Sequence, residues 1–382
     1  MADWQHAGFG VYVHWPFCLA KCPYCDFNSH VSRQVDHDAW AKALSAEARH
    51  MRGLTGPRSV NTVFFGGGTP SLMPPSLVAG LIDQIDAAWG LAADAETTLE
   101  ANPTSVEAAK FRDYAAAGVN RVSMGVQALN DRDLRALGRT HSAAEARAAF
   151  DIARKAFDRV SFDLIYARAG QKTADWQSEL SQALDMAIDH LSLYQLTIEV
   201  GTRFWDLAKR GRVLTAPDDR AAEMYEVTQE VTAAAGMPAY EISNHAAPGA
   251  ESRHNLIYWR YGDYAGIGPG AHGRITSADR SAISTLRDPT AWLAAVARDG
   301  HAITETEAIG SDDQADEYLM MALRLREGAD VARYASLAGT PLNPARIQTL
   351  VASGHLITRD SRLAATAMGC ITLDAVLTEL LR

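Results

Sequence analysis

The chain has 382 residues, a length that predicts a large α/β domain followed by a smaller one. Its 47% hydrophobic and 21% charged residues are typical of a folded protein and argue against extensive disorder. The formal net charge of −10 opposes a phosphate backbone, so we expect no nucleic-acid partner.

The beginning of the chain and its cysteine content indicate a reducing compartment. The start, MADWQHAGFGVYVHW, lacks the basic and apolar regions of a secretory signal, and no later stretch has 18 apolar residues without a charge. Only four cysteines occur, and three of them fall within eight residues, which suits a ligand cluster better than a disulfide framework. We therefore expect a cytoplasmic protein.

From residue 10 to about 199, short apolar runs alternate with longer helical patterns, which predicts repeated βα units and a parallel sheet. The predicted strands are 10–17, 61–65, 97–101, 120–124, 160–166 and 190–198, with a seventh at 237–243. The predicted helices are 38–52, 75–89, 105–117, 142–157 and 173–188. Six such units suit an open or partial (β/α)6 barrel, whose functional groups lie at the carboxyl ends of its strands.

Three segments are predicted along the chain: a core domain over 1–245, a connecting segment over 246–304 and a smaller C-terminal domain over 305–382. Residues 250–275 are dense in Gly, Tyr and His, which predicts an ordered functional loop. The C-terminal segment should be mainly helical and winged-helix-like, with a two-stranded wing at 354–364 and a final helix at 373–381. Its seven Arg, no Lys and eleven acidic residues disfavour DNA as its partner.

The first predicted strand runs directly into Cys18-Leu-Ala-Lys-Cys22-Pro-Tyr-Cys25, a C-x₃-C-x₂-C loop. Cysteine thiolates are the usual ligands of iron–sulfur clusters, and three ligands for four irons leave one iron free to bind another molecule. Structural zinc is the alternative, but zinc usually takes four ligands, so Cys370 or His30 would have to complete the site.

Further motifs extend the pattern beyond the cysteines. VYVHWPFC, FFGGGTPS, LEANPTS, VSMGVQ, GRTHS and FDLIY occur in this order. On these motifs the chain resembles the radical SAM superfamily, in particular the oxygen-independent coproporphyrinogen III oxidase group and, within that group, the haem-chaperone family HemW. The resemblance spans residues 10 to about 275, and it implies a [4Fe-4S] cluster whose unique iron chelates S-adenosylmethionine.

The resemblance also implies which residues surround the cofactor. Cys18, Cys22 and Cys25 would hold the cluster, and Tyr12 and Tyr24 would lie near it. The contacts implied for S-adenosylmethionine are Gly67, Gly68, Thr69, Glu100, Gln127, Arg139 and Asp163. Arg139 could pair with the methionine carboxylate through two parallel hydrogen bonds. After Asp163 the chain reads LIYARAGQ where the family usually has a Gly and a Pro, so this loop departs from the pattern.

Two features favour a haem chaperone over an oxidase. The oxidases carry a further cysteine two residues beyond the third ligand, where this chain has Phe27, and HemW-like proteins carry an HNxxYW segment, which here begins at His254. Imidazole is a normal axial ligand of haem iron, so the resemblance implies His254 as the haem ligand, and His272 is a second candidate. A lone histidine would otherwise more often be a hydrogen-bonded structural residue.

We therefore expect a protein that binds haem, the cluster and S-adenosylmethionine and delivers haem to client proteins. We also expect a homodimer and transient contact with membrane proteins. The alternatives are a radical SAM enzyme that oxidises a porphyrinogen or transfers a methyl group, and a binding module that keeps the cofactors only for stability. Gly268–Gly273 satisfies G-x-G-x-x-G, but Pro269 removes an N–H that would face phosphate, so we do not expect a nucleotide there.

Overall fold

The computed structural model describes residues 2–381 and confirms the six predicted strands of the parallel sheet. The strands are β1 (Phe9–Trp15), β2 (Phe17–Cys18), β3 (His30–Val31), β4 (Val60–Gly67), β5 (Leu91–Ala101), β6 (Arg121–Gln127), β7 (Arg159–Tyr166), β8 (His190–Gln195), β9 (Asn244–Ala246), β10 (Asp263–Ile267), β11 (His272–Thr276), β12 (Arg280–Thr285), β13 (Ile303–Ala308), β14 (Ala329–Asp330), β15 (Leu356–Arg359) and β16 (Arg362–Ala365). Strands β1 and β4–β8 correspond to the six predicted strands.

Eleven strands form one sheet in the order β13-β12-β11-β10-β1-β4-β5-β6-β7-β8-β9. Neighbours from β1 to β8 are parallel, β10 runs parallel to β1, and the outer strands at both sides pair antiparallel. Phe9, Val11, Val13 and Trp15 of β1 are fully buried, as expected for a strand covered on both faces. The carboxyl ends of the parallel strands therefore meet at one edge of the sheet.

The helices fill the connections between strands. They are α1 (His37–Thr55), α2 (Pro75–Trp89), α3 (Ser105–Ala108), α4 (Phe111–Ala116), α5 (Asp131–Ala136), α6 (Ala143–Ala156), α7 (Thr173–Met186), α8 (Arg203–Ala208), α9 (Asp218–Ala234), α10 (Arg253–Trp259), α11 (Pro289–Asp299), α12 (Ser311–Ala322), α13 (Val331–Ala338), α14 (Pro344–Ala352), α15 (Ala367–Ile371) and α16 (Leu373–Leu381). Ser142 caps α6 in a reciprocal capping box with Glu145. The predicted helix at 105–117 is divided, because the N–H of Lys110 donates to the carbonyl of Glu107 and tightens the turn between α3 and α4.

Two predictions between the barrel and the C-terminal part are wrong. A seventh strand does not form at 237–243; the strand in this region is antiparallel β9, which begins after these residues. Residues 237–243 do not pair as a strand because Pro238 has no N–H to donate and the N–H of Ser243 donates to the Glu241 carboxylate. Residues 250–275 are not a loop, because they form α10, β10 and the start of β11, and β10 extends the parallel sheet beside β1. The connecting segment at 246–304 thus contributes strands to the large sheet.

The C-terminal part has its own apolar core, which includes Leu319, Leu356, Leu363 and Leu377. The predicted wing is confirmed as the hairpin β15–β16, to which β14 adds a third strand, and the final helix is confirmed as α16. No helix within residues 2–381 combines the length and apolarity needed to cross a membrane.

Candidate functional site

A cavity of about 380 Å³ opens at the carboxyl ends of the parallel strands. This volume lies within the range of roughly 300–1,000 Å³ that is usual for ligand pockets. Most of the residues implied by the family resemblance line this one cavity, and these are Cys18, Cys22, Tyr24, Cys25, Gly67, Gly68, Thr69, Glu100, Gln127, Arg139 and Asp163. The edge of the sheet predicted to carry the chemistry therefore carries the candidate site.

The three cysteines enter the cavity from β2 and the loop after it. Cys18 is buried, and its thiol accepts a hydrogen bond from the Thr69 hydroxyl at 3.4 Å. Arg139 donates to the sulfur of Cys22 at 3.2 Å, and the sulfur of Cys25 lies 3.6 Å from the Ser29 hydroxyl. Burial raises the pKa of the Cys18 thiol, while the Thr69 hydrogen bond acts in the opposite direction.

The donor set fits a cluster of several irons better than a single ion. Within residues 2–381, no three His, Cys, Asp or Glu side chains converge as ligands of one metal ion would. Cys370 lies away from the other three, against the core of the C-terminal part, so it cannot supply the fourth ligand of a zinc site here. Three thiols around one roomy cavity, with an arginine beside one of them, are instead consistent with an iron–sulfur cluster and a bound anionic group.

The glycines at the end of β4 are required by the close packing of the chain around them. A Cβ at Gly67 would lie 2.5 Å from the ring of His14, and one at Gly68 would lie 2.8 Å from the carbonyl oxygen of Phe17. Gly67 also has a φ of 112°, a conformation that favours glycine. The glycine turn consequently packs directly against the segment that leads into Cys18, and its backbone can still face the cavity.

Two carboxyl groups face the cavity with raised pKa values. Burial, aided by the nearby charge of Asp163, raises the pKa of Glu100 to about 8, although Glu100 accepts a hydrogen bond from the N–H of Gly67 at 3.2 Å. Burial raises the pKa of Asp163 to about 6 against the opposing hydrogen bond from Gln127, which is 2.6 Å long. Gln127 itself has a φ of 72°, which is unusual for a residue other than glycine and is typical of functional sites.

Arg139 reaches the cavity from the loop after α5. Its guanidinium donates to the side-chain oxygen of Asn102 at 2.5 Å and to the carbonyl of Gly125 at 2.8 Å, besides the sulfur of Cys22. Asn102 also donates to the Thr69 hydroxyl at 3.2 Å, so it connects the arginine to the group that contacts Cys18. Asn102 was not predicted as a site residue, although its place in LEANPTS, directly after β5, was a usable signal.

The two predicted tyrosines occupy different places. Tyr24 lines the cavity, where burial raises its pKa and the positive charge of Arg139 opposes the rise. Tyr12 does not line it: its hydroxyl lies 3.1 Å from a ring nitrogen of His14, and its ring packs beneath Gly66. The structure thus brings Tyr24 to the cysteines and places Tyr12 in the barrel interior.

His254 lies near the amino ends of β1 and β4, whereas the cysteines lie at the carboxyl ends. Its ring is 1% exposed and stacks on Phe64, with the ring centroids 5.0 Å apart. One ring nitrogen lies 2.7 Å from the Thr62 hydroxyl and the other 2.7 Å from the Tyr258 hydroxyl. Burial lowers the pKa of His254 to about 3. Both ring nitrogens are hydrogen-bonded and the ring is enclosed, so ligation of haem iron by His254, which the HNxxYW resemblance implies, would require these contacts to open.

The second candidate, His272, is exposed at the start of β11. It follows the turn at 268–271, which connects β10 to β11, so the G-x-G-x-x-G segment leads into a strand and not into a helix. The N–H of Gly268 donates to the buried side chain of Glu47 at 2.7 Å, so this N–H is already occupied by a group of the protein itself.

The family model and the named relatives that match this chain agree with one another. The model of the radical SAM superfamily matches residues 12–180. The mitochondrial radical S-adenosyl methionine domain-containing protein 1 of Danio rerio is 37% identical, with 97% of this chain and 86% of that protein covered. The heme chaperone HemW of Escherichia coli K12 is 38% identical, with 96% of each chain covered.

Among solved structures, coproporphyrinogen III oxidase HemN from Escherichia coli, described as a radical SAM enzyme, superposes with a TM-score of 0.81. It is 23% identical and is covered over 91% of its length, with 99% of this chain aligned, so it supports the fold predicted from the sequence. The extent and identity of the sequence matches show that the chain belongs to the radical SAM superfamily and, within it, to the family of the HemW proteins.

Proposed function

We propose that the chain is a haem chaperone that holds a [4Fe-4S] cluster and S-adenosylmethionine and passes haem to client proteins. The observation that carries the cofactor part is the meeting of Cys18, Cys22, Cys25 and Arg139 in one cavity at the carboxyl ends of the strands. The haem part is supported by relatives named heme chaperone that match nearly the full chain.

Within this proposal the three cysteines hold three irons, and the cofactor pair supplies one-electron chemistry when it is bound. Arg139 offers its guanidinium to a carboxylate, the group for which its planar geometry is suited. A cationic ligand would favour the ionised forms of the Glu100 and Asp163 carboxyl groups, because a nearby positive charge lowers a carboxyl pKa. Gln127 holds Asp163 in place through its amide.

The rival function is a radical SAM enzyme that acts on a porphyrinogen, and it has the fold similarity to HemN in its favour. Phe27 argues against it, because the oxidase group places a cysteine there and this side chain is an exposed phenyl ring at the cavity. The proposal includes the delivery of haem to clients in the cytoplasm, a homodimer and contact with membrane proteins. We also propose that the 1–245 and 246–304 segments divide the cofactor and haem roles, with 305–382 as a docking module.

Anaerobic reconstitution tests the cofactor part. The wild-type chain should bind about four irons, and Cys18→Ala, Cys22→Ala or Cys25→Ala should lose the visible absorption of the cluster. Cys370→Ala is the matched control, and it should retain the full iron content because Cys370 lies apart from the cavity. Preferential zinc binding, or a requirement for Cys370, would contradict the ligand assignment.

A transfer assay tests the haem part. Haem-loaded protein should convert a haem-requiring apoprotein to its holo form, followed by the absorption spectrum of the acceptor. In parallel, the protein with its cluster, S-adenosylmethionine and a reductant should leave coproporphyrinogen III unchanged. Rapid decarboxylation of coproporphyrinogen without haem transfer would establish the enzyme instead.

A further inference from the structure

Three separate segments meet around Asn28, beside the cysteine loop. The Asn28 amide donates to the carbonyl of Pro269 at 2.9 Å and to the carbonyl of Arg287 at 2.9 Å. Its side-chain oxygen lies 3.2 Å from a ring nitrogen of His30. The cysteine loop, the turn before β11 and the start of the segment before α11 are therefore held together, and we call the resulting surface of Phe27, His30, Val31, His272 and Arg287 the histidine corner.

The charged groups of the histidine corner lie close enough to act on one common neighbour. Burial lowers the pKa of His14, which lies beneath the corner, against the effect of its hydrogen bond to the carbonyl of Asn28. The charges of His30, Arg287 and His272 lower it further. The His14 ring, one nitrogen of which lies 2.9 Å from the carbonyl oxygen of Asn28, is thus a neighbour that the three groups share.

The polar groups of the corner are available to a ligand. His272 and Arg287 are exposed, and neither side chain has a hydrogen-bond partner among residues 2–381. This is the reverse of His254, whose two ring nitrogens are both occupied. An exposed neutral imidazole can ligate iron, and an exposed guanidinium can pair with a carboxylate.

The corner also offers apolar surface. The side chains of Phe27 and Val31 are 61% and 56% exposed, although both types are usually buried. Val31 pairs with Cys18 in the β2–β3 ladder, and Phe27 lines the cavity that contains the cysteines. The corner is thus an apolar surface with an imidazole and a positive charge, directly beside the candidate cofactor cavity.

The turn that carries His272 is firmly held. The buried Glu47 carboxylate accepts from the N–H of Gly268 at 2.7 Å and from the N–H of Ala302 at 2.9 Å. The hydroxyl of Thr285 donates to the carbonyl of Gly268 at 2.6 Å. A ligating side chain on such a fixed turn loses little conformational freedom when it binds.

We propose that the histidine corner is the haem-binding site, with His272 as an axial ligand of the iron. Arg287 pairs with a haem propionate, and Phe27 and Val31 contact the flat face of the porphyrin. This assignment rests on the proposed haem-chaperone function. It places the haem at a surface that borders the cofactor cavity and not at the histidine of the HNxxYW segment. Haem would then lie where client proteins can reach it.

The test is a titration of the cluster-loaded protein with three probes: ferric haem, its dimethyl ester and iron-free protoporphyrin IX. His272→Ala should weaken haem binding by about tenfold or more and alter the Soret band, yet leave protoporphyrin binding unchanged, because only the iron needs the imidazole. Arg287→Ala should weaken the binding of haem by a few fold at low salt and leave that of the dimethyl ester unchanged. His6→Ala, an exposed histidine before β1, is the matched control.

The outcomes separate this site from the function on which it rests. Equal iron content and equal circular dichroism of all variants establish that each chain folds and keeps its cluster. If the wild type binds haem and both variants match His6→Ala, the histidine corner is not the site and the haem-chaperone function stands. If the wild type itself binds no haem, both proposals fail.

Discussion

Replacing Gly68 by Ala should disturb the cysteine loop without touching any cysteine. The new Cβ would lie 2.8 Å from the carbonyl oxygen of Phe17 and 2.9 Å from the carbonyl carbon of Pro16, which are backbone atoms that no rotamer change can move. The same segment is fixed by hydrogen bonds from Gly68 to Trp15, 2.7 Å long, and from Thr69 to Phe17, 2.9 Å long. Relief of the clash must therefore shift β2 and with it Cys18.

We expect an overpacking cost of about 1–3 kcal/mol in the free energy of unfolding and a clear loss of bound iron after anaerobic reconstitution. Gly80→Ala is the matched control, because a Cβ there meets no atom within 4 Å and the position lies inside α2. It should stabilise the chain by up to about 1 kcal/mol and leave the iron content unchanged. Full iron binding and wild-type stability in Gly68→Ala would refute the proposed contact between the glycine turn and the cysteine loop.

Three further predictions concern single side chains. Arg139→Ala should weaken S-adenosylmethionine binding by about 2 kcal/mol in equilibrium dialysis, whereas exposed Arg135→Ala should not, and equal affinities would place Arg139 outside the site. His254→Ala should lower the free energy of unfolding in urea by about 2–4 kcal/mol, because it leaves a cavity and unpaired hydroxyls. The Soret band of the folded, haem-loaded variant should not change. A shifted band would restore His254 as a haem ligand. The pKa of Glu47 is raised from 4.5 to about 7 by burial, so the folded chain binds this proton more tightly than the unfolded chain. The free energy of unfolding should consequently fall by up to about 3 kcal/mol as the pH rises from 4.5 to 7, and Glu47→Gln should lack this part of the pH dependence; parallel curves would contradict the assignment.

Much of the barrel was predictable because its strands are buried on both faces and appear as continuous apolar runs. The strand β10 was missed for the opposite reason: its sequence DYAGI is short, contains a glycine, and pairs with β1 across about 250 residues of chain. Local pattern carries no information about such a partner. The glycine-rich composition that suggested a loop instead reflects close packing, since a Cβ at Gly266 would lie 2.1 Å from the carbonyl oxygen of His272.

The candidate site was predictable where a motif ends a strand, and less so where a side chain reaches across the barrel. The cysteines follow a predicted strand, Glu100 lies near the end of one and Asp163 lies within one, and all of them line the cavity. The contact between Arg139 and Cys22 joins residues 117 positions apart and depends on the length of the arginine side chain. The burial of His254 was not predictable either, because HNLIYW looks the same whether its histidine faces solvent or Phe64.

The central claim is that three cysteines hold a cluster whose remaining iron binds S-adenosylmethionine. The most direct measurement is the electron paramagnetic resonance spectrum of the reduced, reconstituted protein with and without S-adenosylmethionine labelled with a magnetic isotope in its amino and carboxylate groups. The account predicts a changed spectrum with hyperfine coupling from both labelled groups in the wild type and in Cys370→Ala. An iron-loaded protein whose spectrum shows no change and no coupling would contradict it.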